Sequence, residues 1–346
     1  MNQTLPDTRT SALAQMVYAA WERTVLARNS NRLGGSIIGD VCPRKIWLSF
    51  RWARKNKFDG RMLRLFSAGM IEEARVETDL KKCGLKVEMG PEPGQQFEFT
   101  DGSGHIVGKI DGVVLGVPEA PKTWHLLEVK THNTRSFLDL TARGVVESKP
   151  MHWAQMQVYM RLAELDRFLY YAVCKDSDEI YTERGSLDTE AADTLIERAL
   201  QIIKSDEQPR MTTGDDEECK KCGFKPICWG ESVPDLNCRT CIESTAVQGG
   251  TWQCELKKID LSADQQAAGC ERHIFIPDMI NARRVEESSG SRSFRYKLQN
   301  GGEFTNGEGG LASSELVQLT LRGAVIRAAQ MVKKQFPGAV VEKAVP

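Results

Sequence analysis

Apolar positions change their period several times along the chain. Helical spacing predicts five helices, over residues 11–28, 62–83, 151–165, 188–204 and 313–336. Strand-like segments bounded by Pro, Gly or Asp-Gly turns lie between them, over residues 85–88, 95–99, 105–115, 123–130, 167–174 and 179–184. The order of a helix, three or four strands, a helix and a strand predicts a mixed α/β core.

The length of 346 residues exceeds the usual size of a single hydrophobic core, so more than one folding unit is expected. After Cys228 the sequence becomes loop-rich and Cys-bearing as far as about Asp278, and it ends in a strand-like Arg295-Tyr-Lys-Leu segment, a Gly-rich turn and the last helix. We predict four parts: a helical lead-in (1–41), a main α/β domain (42–232), a Cys-rich module (233–277) and a small C-terminal β/α module (278–346).

The composition is ordinary for a soluble globular protein. With 41% hydrophobic and 27% charged residues, the chain is neither disordered nor fibrous in character. It contains no run of about 18 apolar residues, and residues 1–10 have neither a basic start nor an apolar stretch. We therefore expect no membrane span and no secretion signal, and a cytoplasmic location.

Positive charge is concentrated in one stretch although the net charge is only -1. Residues 43–68 carry eight Lys or Arg and a single acid, Asp59, interleaved with five Trp or Phe residues. Such a mixture is typical of surfaces that neutralise phosphates and stack bases, but it also fits a solvated helix face with aromatics in the core. The candidate DNA-binding residues are Arg44, Lys45, Arg51, Arg54 and Lys55.

Ten cysteines in a chain without a secretion signal argue against a disulfide framework, because the cytosol keeps thiols reduced. Cys219, Cys222 and Cys228 form a Cys-x2-Cys-x5-Cys motif in a short loop with Gly and Pro. Cys42, which is also followed by Pro and basic residues, is the candidate fourth ligand. Four thiolates fit an iron-sulfur cluster or a structural zinc equally well.

A second group of soft ligands follows. Cys238 and Cys241 form a Cys-x2-Cys knuckle, and Cys254, Cys270 and His273 come after it. This spacing predicts a closed structural Zn2+ site in which either Cys270 or His273 is the fourth ligand. The alternative is a chance cluster of buried thiols. The remaining Cys83 and Cys174 are expected in the core.

Two short motifs in the strand region carry candidate chemistry, Gly108-x2-Asp111 and Glu128-x-Lys130. Residues two apart on a strand share a face, so Glu128 and Lys130 project together while Leu127 and Val129 point the other way. Asp111 on the neighbouring strand would complete a carboxylate pair for Mg2+ or Mn2+. A metal there activates water against a phosphodiester, and an ammonium group stabilises the developing charge. The alternative is ordinary polar and apolar alternation on a half-buried strand.

Two helices add polar groups. Gln155 and Tyr159 are four residues apart and share a helix face, where they can bond the lysine region or the DNA backbone. Glu73 and Glu77 share a face of the upstream helix, and one of them can bind the metal directly or through water.

The joint order of Cys42, Gly69-x3-Glu73, Gly108-x2-Asp111, Glu128-x-Lys130, Gln155-x3-Tyr159 and the later cysteines resembles the iron-sulfur branch of RecB-like PD-(D/E)XK nucleases, over residues 39–229. This branch includes CRISPR-associated RecB-like and AddB-type nucleases. The resemblance implies a restriction-endonuclease-like core, a mixed central sheet flanked by helices. It also implies a 4Fe-4S cluster on Cys42, Cys219, Cys222 and Cys228. Where many relatives carry His, this chain has Glu73, as do many phage-encoded relatives.

The resemblance implies a metal-dependent DNA exonuclease that prefers single-stranded ends. We expect a role in phage or bacterial recombination, repair or DNA turnover, in a bacterium or a phage-infected host cell, with a helicase or recombination protein as a candidate partner. Two alternatives stay open. One is a non-catalytic nucleic-acid-binding protein, and the other is a structure- or sequence-specific endonuclease whose C-terminal modules read DNA.

Overall fold

The structure is a computed structural model that describes residues 11–24, 30–55, 58–92, 94–208, 214–287 and 292–340. Lys57 of the basic stretch and residues 25–28 of the first predicted helix lie outside this part of the chain. The α-helices of the described residues are α1 (Ala12–Thr24), α2 (Gly35–Ile38), α3 (Pro43–Phe50), α4 (Gly60–Lys82), α5 (Thr134–Ser148), α6 (Pro150–Ala163), α7 (Thr189–Lys204), α8 (Glu217–Lys220), α9 (Lys225–Cys228), α10 (Ala263–Ala268), α11 (Ser313–Leu319) and α12 (Gly323–Gln335). The strands are β1 (Leu33–Gly34), β2 (Lys86–Glu88), β3 (Phe97–Thr100), β4 (Ile106–Ile110), β5 (Gly112–Leu115), β6 (His125–His132), β7 (Arg167–Cys174), β8 (Ile180–Ser186), β9 (Ser244–Val247), β10 (Thr251–Cys254), β11 (Ile259–Asp260), β12 (Arg283–Glu287), β13 (Ser293–Lys297) and β14 (Glu303–Gly307).

A five-stranded sheet of order β2-β5-β6-β7-β8 forms the centre of the first two thirds of the chain. β6 and β7 are parallel, and the other neighbours are antiparallel. A parallel pair needs a long crossover, which α5 and α6 supply between the two strands. The prediction of a mixed α/β core is confirmed.

Both faces of the central sheet are covered, and the alternation along β6 explains how. Leu127 and Val129 lie in one apolar cluster with Val76 of α4, as predicted. Leu126 faces the opposite way, into a cluster with residues of α5 and α6. Successive side chains of a strand point to opposite faces, so Glu128 and Lys130 project on the α5–α6 side.

Three smaller sheets accompany the central one among the described residues: β1-β4-β3, β11-β10-β9 and β12-β13-β14. A further apolar cluster joins the first of these regions to the Cys-rich segment. It contains Trp47 and Phe50 of α3, Ile202 of α7, and Trp252 and Met279 from the later sequence. The β13–β14 hairpin packs with α11 and α12 in a separate cluster.

The structure departs from the predicted elements in several places, including a small sheet, β9–β11, in the segment that was expected to be loop-rich. The predicted strand over residues 105–115 is two strands that belong to different sheets, β4 and β5, with Asp111 between them. The final helix is also two, because Thr320 takes a left-handed φ of 53° between α11 and α12. Helices α3 and α5 were not predicted. In α5 the positive φ of Gly144 interrupts the helical spacing of apolar residues. In α3 one buried position is occupied by the charged Arg44, so the apolar spacing of the buried face is incomplete.

No helix in the described parts of the chain has the length and apolar character needed to cross a membrane.

Candidate active site

Asp111 occupies the corner where the chain leaves the sheet of β4 and enters the central sheet at β5. The backbone N–H of Val129 donates to Asp111 Oδ2 at 2.9 Å. This bond fixes the carboxylate beside β6, between the two residues of the Glu128-x-Lys130 motif. The corner is therefore the reason that the Asp111 side chain meets the next strand.

Glu128 is completely buried. Its Oε1 accepts hydrogen bonds from Lys130 Nζ and, at 2.7 Å, from Gln155 Nε2 of α6. Its Oε2 is buried and has no hydrogen-bond partner among the described residues. Lys130 Nζ also lies 3.9 Å from Asp111 Oδ2. The structure thus brings together Asp111, Glu128, Lys130 and Gln155.

Glu73 of α4 belongs to the same electrostatic group. Burial, together with the negative charge of Asp111, raises the pKa of Glu73 to about 7. Burial likewise raises the pKa of Glu128 to about 7, against the effect of Lys130. Burial alone would lower the pKa of Lys130, but Glu128 and Asp111 raise it above its ordinary value. Three carboxyl groups around one ammonium group favour a further cation.

The donor set fits a hard divalent metal. Carboxylate oxygens are the ligands that Mg2+ and Mn2+ prefer, and Glu128 Oε2 is a buried oxygen that no donor in the described part of the chain satisfies. Among the described residues, no three His, Cys, Asp or Glu side chains are already gathered around one metal position. A bound ion would therefore have to draw the carboxylates of Glu73, Asp111 and Glu128 together.

Tyr159 lies under the strand that leads to Asp111. A Cβ added at Gly35 would come within 2.2 Å of Tyr159 Cε1, and one added at Gly108 within 2.9 Å of Tyr159 Cδ1. Both glycines make room for this ring, which explains the glycine of the Gly108-x2-Asp111 motif. Burial raises the pKa of Tyr159 above its ordinary value, so its hydroxyl stays protonated.

A group of three polar side chains next to this centre was not predicted from the sequence. Tyr170 Oη lies 3.0 Å from His132 Nε2 and 2.8 Å from His152 Nδ1. Tyr170 of β7 is the register partner of Glu128. The signal was present in the sequence, because His132 continues the alternation of Glu128 and Lys130 along β6.

Two of the five candidate DNA-binding residues require a correction. Arg44 and Arg51 are buried, and their guanidinium groups bond Asp278 and the backbone oxygen of Ser205 respectively. These two side chains therefore cannot contact DNA, since their guanidinium nitrogens face the interior. Lys45 pairs with Asp40.

Arg54 and Lys55 are more accessible. They lie with Phe58 and Phe224 around an open cavity of about 730 Å³. One Arg54 nitrogen donates to the backbone oxygen of Gly223 at 3.1 Å. Arg54 and Lys55, in the middle of the basic stretch, are therefore open to a ligand, whereas Arg44 and Arg51 are not.

The first cysteine group is brought together in part. Burial, and to a smaller extent the thiol of Cys228, raise the pKa of Cys42, although 186 residues separate the two in sequence. Cys42, Cys219 and Cys222 line one cavity. No disulfide bond joins the cysteines of the described residues.

The second cysteine group clusters more clearly. Burial, followed by Cys241, Cys270 and Cys254, raises the pKa of Cys238 to about 11. His273 Nε2 is instead within hydrogen-bond distance of Asn237 O, at 3.0 Å, and of Thr240 Oγ1, at 3.2 Å.

The two leftover cysteines differ. Cys174 is buried as predicted, whereas the core prediction for Cys83 is wrong, because Cys83 lies exposed just after the end of α4.

Solved structures are similar to this chain only at low identity and low TM-score. A protein named SSO0001 is 19% identical, over 64% of this chain and 98% of that chain, with a TM-score of 0.38. The alkaline exonuclease LHK-Exo from Laribacter hongkongensis is 16% identical, over 54% of this chain and 90% of its own, with a TM-score of 0.36. A phage-related exonuclease from Haemophilus somnus 129PT is 17% identical, over 49% and 91%, with a TM-score of 0.36.

A comparison with curated proteins finds no match. The model of the PD-(D/E)XK nuclease superfamily, in contrast, matches residues 2–229. This range is about two thirds of the chain and contains Glu73, Asp111, Glu128 and Lys130. The chain therefore belongs to the PD-(D/E)XK nuclease superfamily.

Proposed function

We propose that the protein is a metal-dependent deoxyribonuclease that hydrolyses phosphodiester bonds at DNA ends, with a preference for single strands, in phage or bacterial DNA recombination, repair or turnover. The convergence of Asp111, Glu128 and Lys130 supports this proposal most strongly. A strand surface without chemistry would not bury Glu128 with one oxygen unpartnered beside a second carboxylate.

The roles follow from the geometry. Asp111 and Glu128, with Glu73 from α4, would hold Mg2+ or Mn2+, which supplies charge neutralisation of the phosphate and an acidified water when bound. Lys130 keeps its proton beside both carboxylates and so places a positive charge where negative charge develops on the phosphate. Gln155 donates to Glu128 and orients it, and Tyr159 packs against Gly108, three residues before Asp111.

The proposal includes two further metal groups. A 4Fe-4S cluster on Cys42, Cys219, Cys222 and Cys228 would join the two ends of the nuclease region. A Zn2+ ion would be held by Cys238, Cys241, Cys254 and either Cys270 or His273. Cys270 acts electrostatically on both Cys238 and Cys241, which favours Cys270 over His273 as the fourth ligand.

The decisive experiment follows end-labelled linear single-stranded, linear duplex and circular DNA in the presence of Mg2+, Mn2+ or EDTA. Wild type is expected to degrade linear DNA only, faster for single strands, and Lys130→Ala to be slower by at least about 100-fold. Lys86→Ala is the matched control, because Lys86 is an exposed lysine of the same sheet, on edge strand β2.

The other outcomes separate the alternatives. Cleavage of covalently closed circles would identify an endonuclease. Binding without cleavage of any substrate would favour the non-catalytic protein, and unchanged activity of Lys130→Ala would remove this centre from the reaction.

A further inference from the structure

Helix α4 is poorly covered for its length. Of its 23 residues, only Gly60, Leu63 and Val76 are buried. Large apolar side chains along its first half are exposed: 44% of Phe66, 61% of Met70 and 69% of Ile71. Contiguous apolar groups on a surface commonly mark a binding site.

Part of this exposed surface points along the same helix face as a catalytic carboxylate. Residues 66, 70 and 73 follow the i, i+4, i+7 spacing, so Phe66, Met70 and Glu73 share a face. With a rise of about 1.5 Å per residue, Met70 lies about 4.5 Å and Phe66 about 10.5 Å before Glu73 along the axis. Phe66 and Met70 thus form an apolar row on α4, and this row leads to the carboxyl groups around Lys130.

Gly69 lies on the same helix face and leaves a gap between the side chains of Phe66 and Glu73. Glycine in a helix interior is less stable than alanine, so it needs a reason. A Cβ at Gly69 would meet no described residue within 4 Å, so packing against the described parts of the chain does not require a glycine here. Close approach of a ligand to the helix backbone, one turn before Glu73, would explain the residue.

The row continues in the opposite direction, away from Glu73. The Phe66 ring meets the Phe58 ring edge to face, with centroids 4.9 Å apart. Phe58 lines the open cavity that also holds Arg54 and Lys55. Aromatic and apolar side chains thus run from a basic cavity to the catalytic carboxylates.

We propose that Phe58, Phe66, Gly69 and Met70 form a track for a single strand of DNA whose end enters the catalytic centre. Bases stack on Phe58, Phe66 and Met70, and the strand crosses the helix at Gly69. Arg54 and Lys55 neutralise phosphates farther from the cleavage site. This inference rests on the proposed nuclease function and deepens it, because stacking without base-specific hydrogen bonds suits an enzyme that degrades any sequence.

Two variants test the track, and one variant serves as their control. Phe66→Ala removes a stacking surface, and Gly69→Leu fills the open space without a clash. Ala68→Leu adds the same bulk on the exposed far side of the helix. We expect Phe66→Ala and Gly69→Leu each to raise the KM for single-stranded DNA about tenfold, with kcat and melting temperature retained, and Ala68→Leu to match wild type.

A base-free substrate separates stacking from a general effect on the fold. Single strands whose first three nucleotides from the cleaved end are abasic should have a higher KM with wild type than intact strands. Phe66→Ala should not raise the KM for these abasic strands any further. Binding of the same strands to Lys130→Ala, with and without Phe66→Ala, gives the parallel measurement without cleavage.

Three results would overturn the track. Phe66→Ala could raise the KM for abasic strands as much as for intact strands, or Ala68→Leu could raise the KM as much as Gly69→Leu does. The third is a wild-type dimer that Phe66→Ala dissociates while single-strand binding stays unchanged. The last would identify the row as a self-association face. If wild type binds single strands through Phe66 but cleaves nothing, the nuclease function fails and the track stands.

Discussion

Gln155 connects α6 to the most deeply buried carboxylate of the centre, through one 2.7 Å hydrogen bond to Glu128. Gln155→Met keeps the length of the side chain but removes the donor. We expect activity at low Mg2+ to fall about 10- to 100-fold, because groups that orient a metal ligand commonly have effects of this size. The measurement is the dependence of DNA cleavage on Mg2+ concentration, which should shift to higher Mg2+.

Gln157 is the matched control for this substitution. It is equally buried on the same helix, but it bonds the backbone of Ser186 and Asp188 rather than a catalytic group. Gln157→Met should lower the melting temperature without moving the Mg2+ dependence. A shared shift in both variants would assign Gln155 to packing alone.

The Tyr170 hydroxyl and its two histidine neighbours predict a pH dependence of stability. Burial and nearby lysines lower the pKa of His132 to about 4 and that of His152 to about 3. In the unfolded chain both protonate near pH 6.5, so their contribution to stability is complete above pH 6.5 and is lost progressively as the pH falls toward 4 and 3. The two histidines therefore lower the free energy of unfolding at pH 5 relative to pH 7.5, while the raised pKa values of Glu73 and Glu128 act in the opposite direction over the same range.

The variant His152→Gln isolates this contribution. Glutamine retains a group that can bond Tyr170 but does not titrate. We expect the free energy of urea unfolding at pH 5, taken relative to its value at pH 7.5, to be higher than in wild type by about 1–2 kcal/mol, because Glu73 and Glu128 contribute equally to both proteins. The same pH dependence in both proteins would show that His152 does not contribute to it.

Single residues show where sequence patterns suffice and where they do not. The two-residue spacing of Glu128 and Lys130 requires a shared face on any strand, and the structure has it. The burial of Arg44 and Arg51 was not predictable, because their acceptors come from Ser205 and Asp278, more than 150 residues away. Charge alone cannot distinguish a guanidinium that meets DNA from one that the fold surrounds.

At the scale of elements, local patterns located most strands but not their sheet membership. Nothing in the run from His105 to Leu115 indicates that β4 and β5 pair with different neighbours, since pairing depends on distant segments. That change of sheet is nevertheless what positions Asp111. The helix α5 was missed for a local reason, the positive φ of Gly144 inside it.

The metals predicted for the two cysteine groups can be tested by chemical analysis of the protein. Protein purified without oxygen should contain about four iron and four sulfide per chain together with one zinc, and it should be brown. Cys222→Ser should lose iron and retain zinc, while Cys241→Ser should do the reverse. Elemental analysis with visible absorbance measures both, and a colourless wild type with two zinc ions would replace the cluster by a second zinc site.

At the scale of the whole molecule, an apolar cluster crosses the predicted boundary at residue 232. Trp252 of β10 is fully buried and packs on Phe50 of α3, with ring centroids 5.3 Å apart. Arg239 donates to the backbone oxygen of Phe50 and lies over the Trp52 ring at 3.7 Å. The nuclease region therefore shares a core with the Cys-rich segment, and the two should unfold together.

Trp252→Ala tests this coupling. Removing a large buried side chain should cost about 3–5 kcal/mol of unfolding free energy. If the core is shared, native-state hydrogen exchange should speed up equally for amides of β6 and β7 and for amides of β9 and β10, because all of them would exchange through the same unfolding event. Phe304→Ala, a comparable truncation in the β13–β14 cluster, should affect that hairpin first. Faster exchange confined to β9 and β10 in Trp252→Ala would show instead that the Cys-rich segment opens by itself and that the catalytic sheet is stable without it.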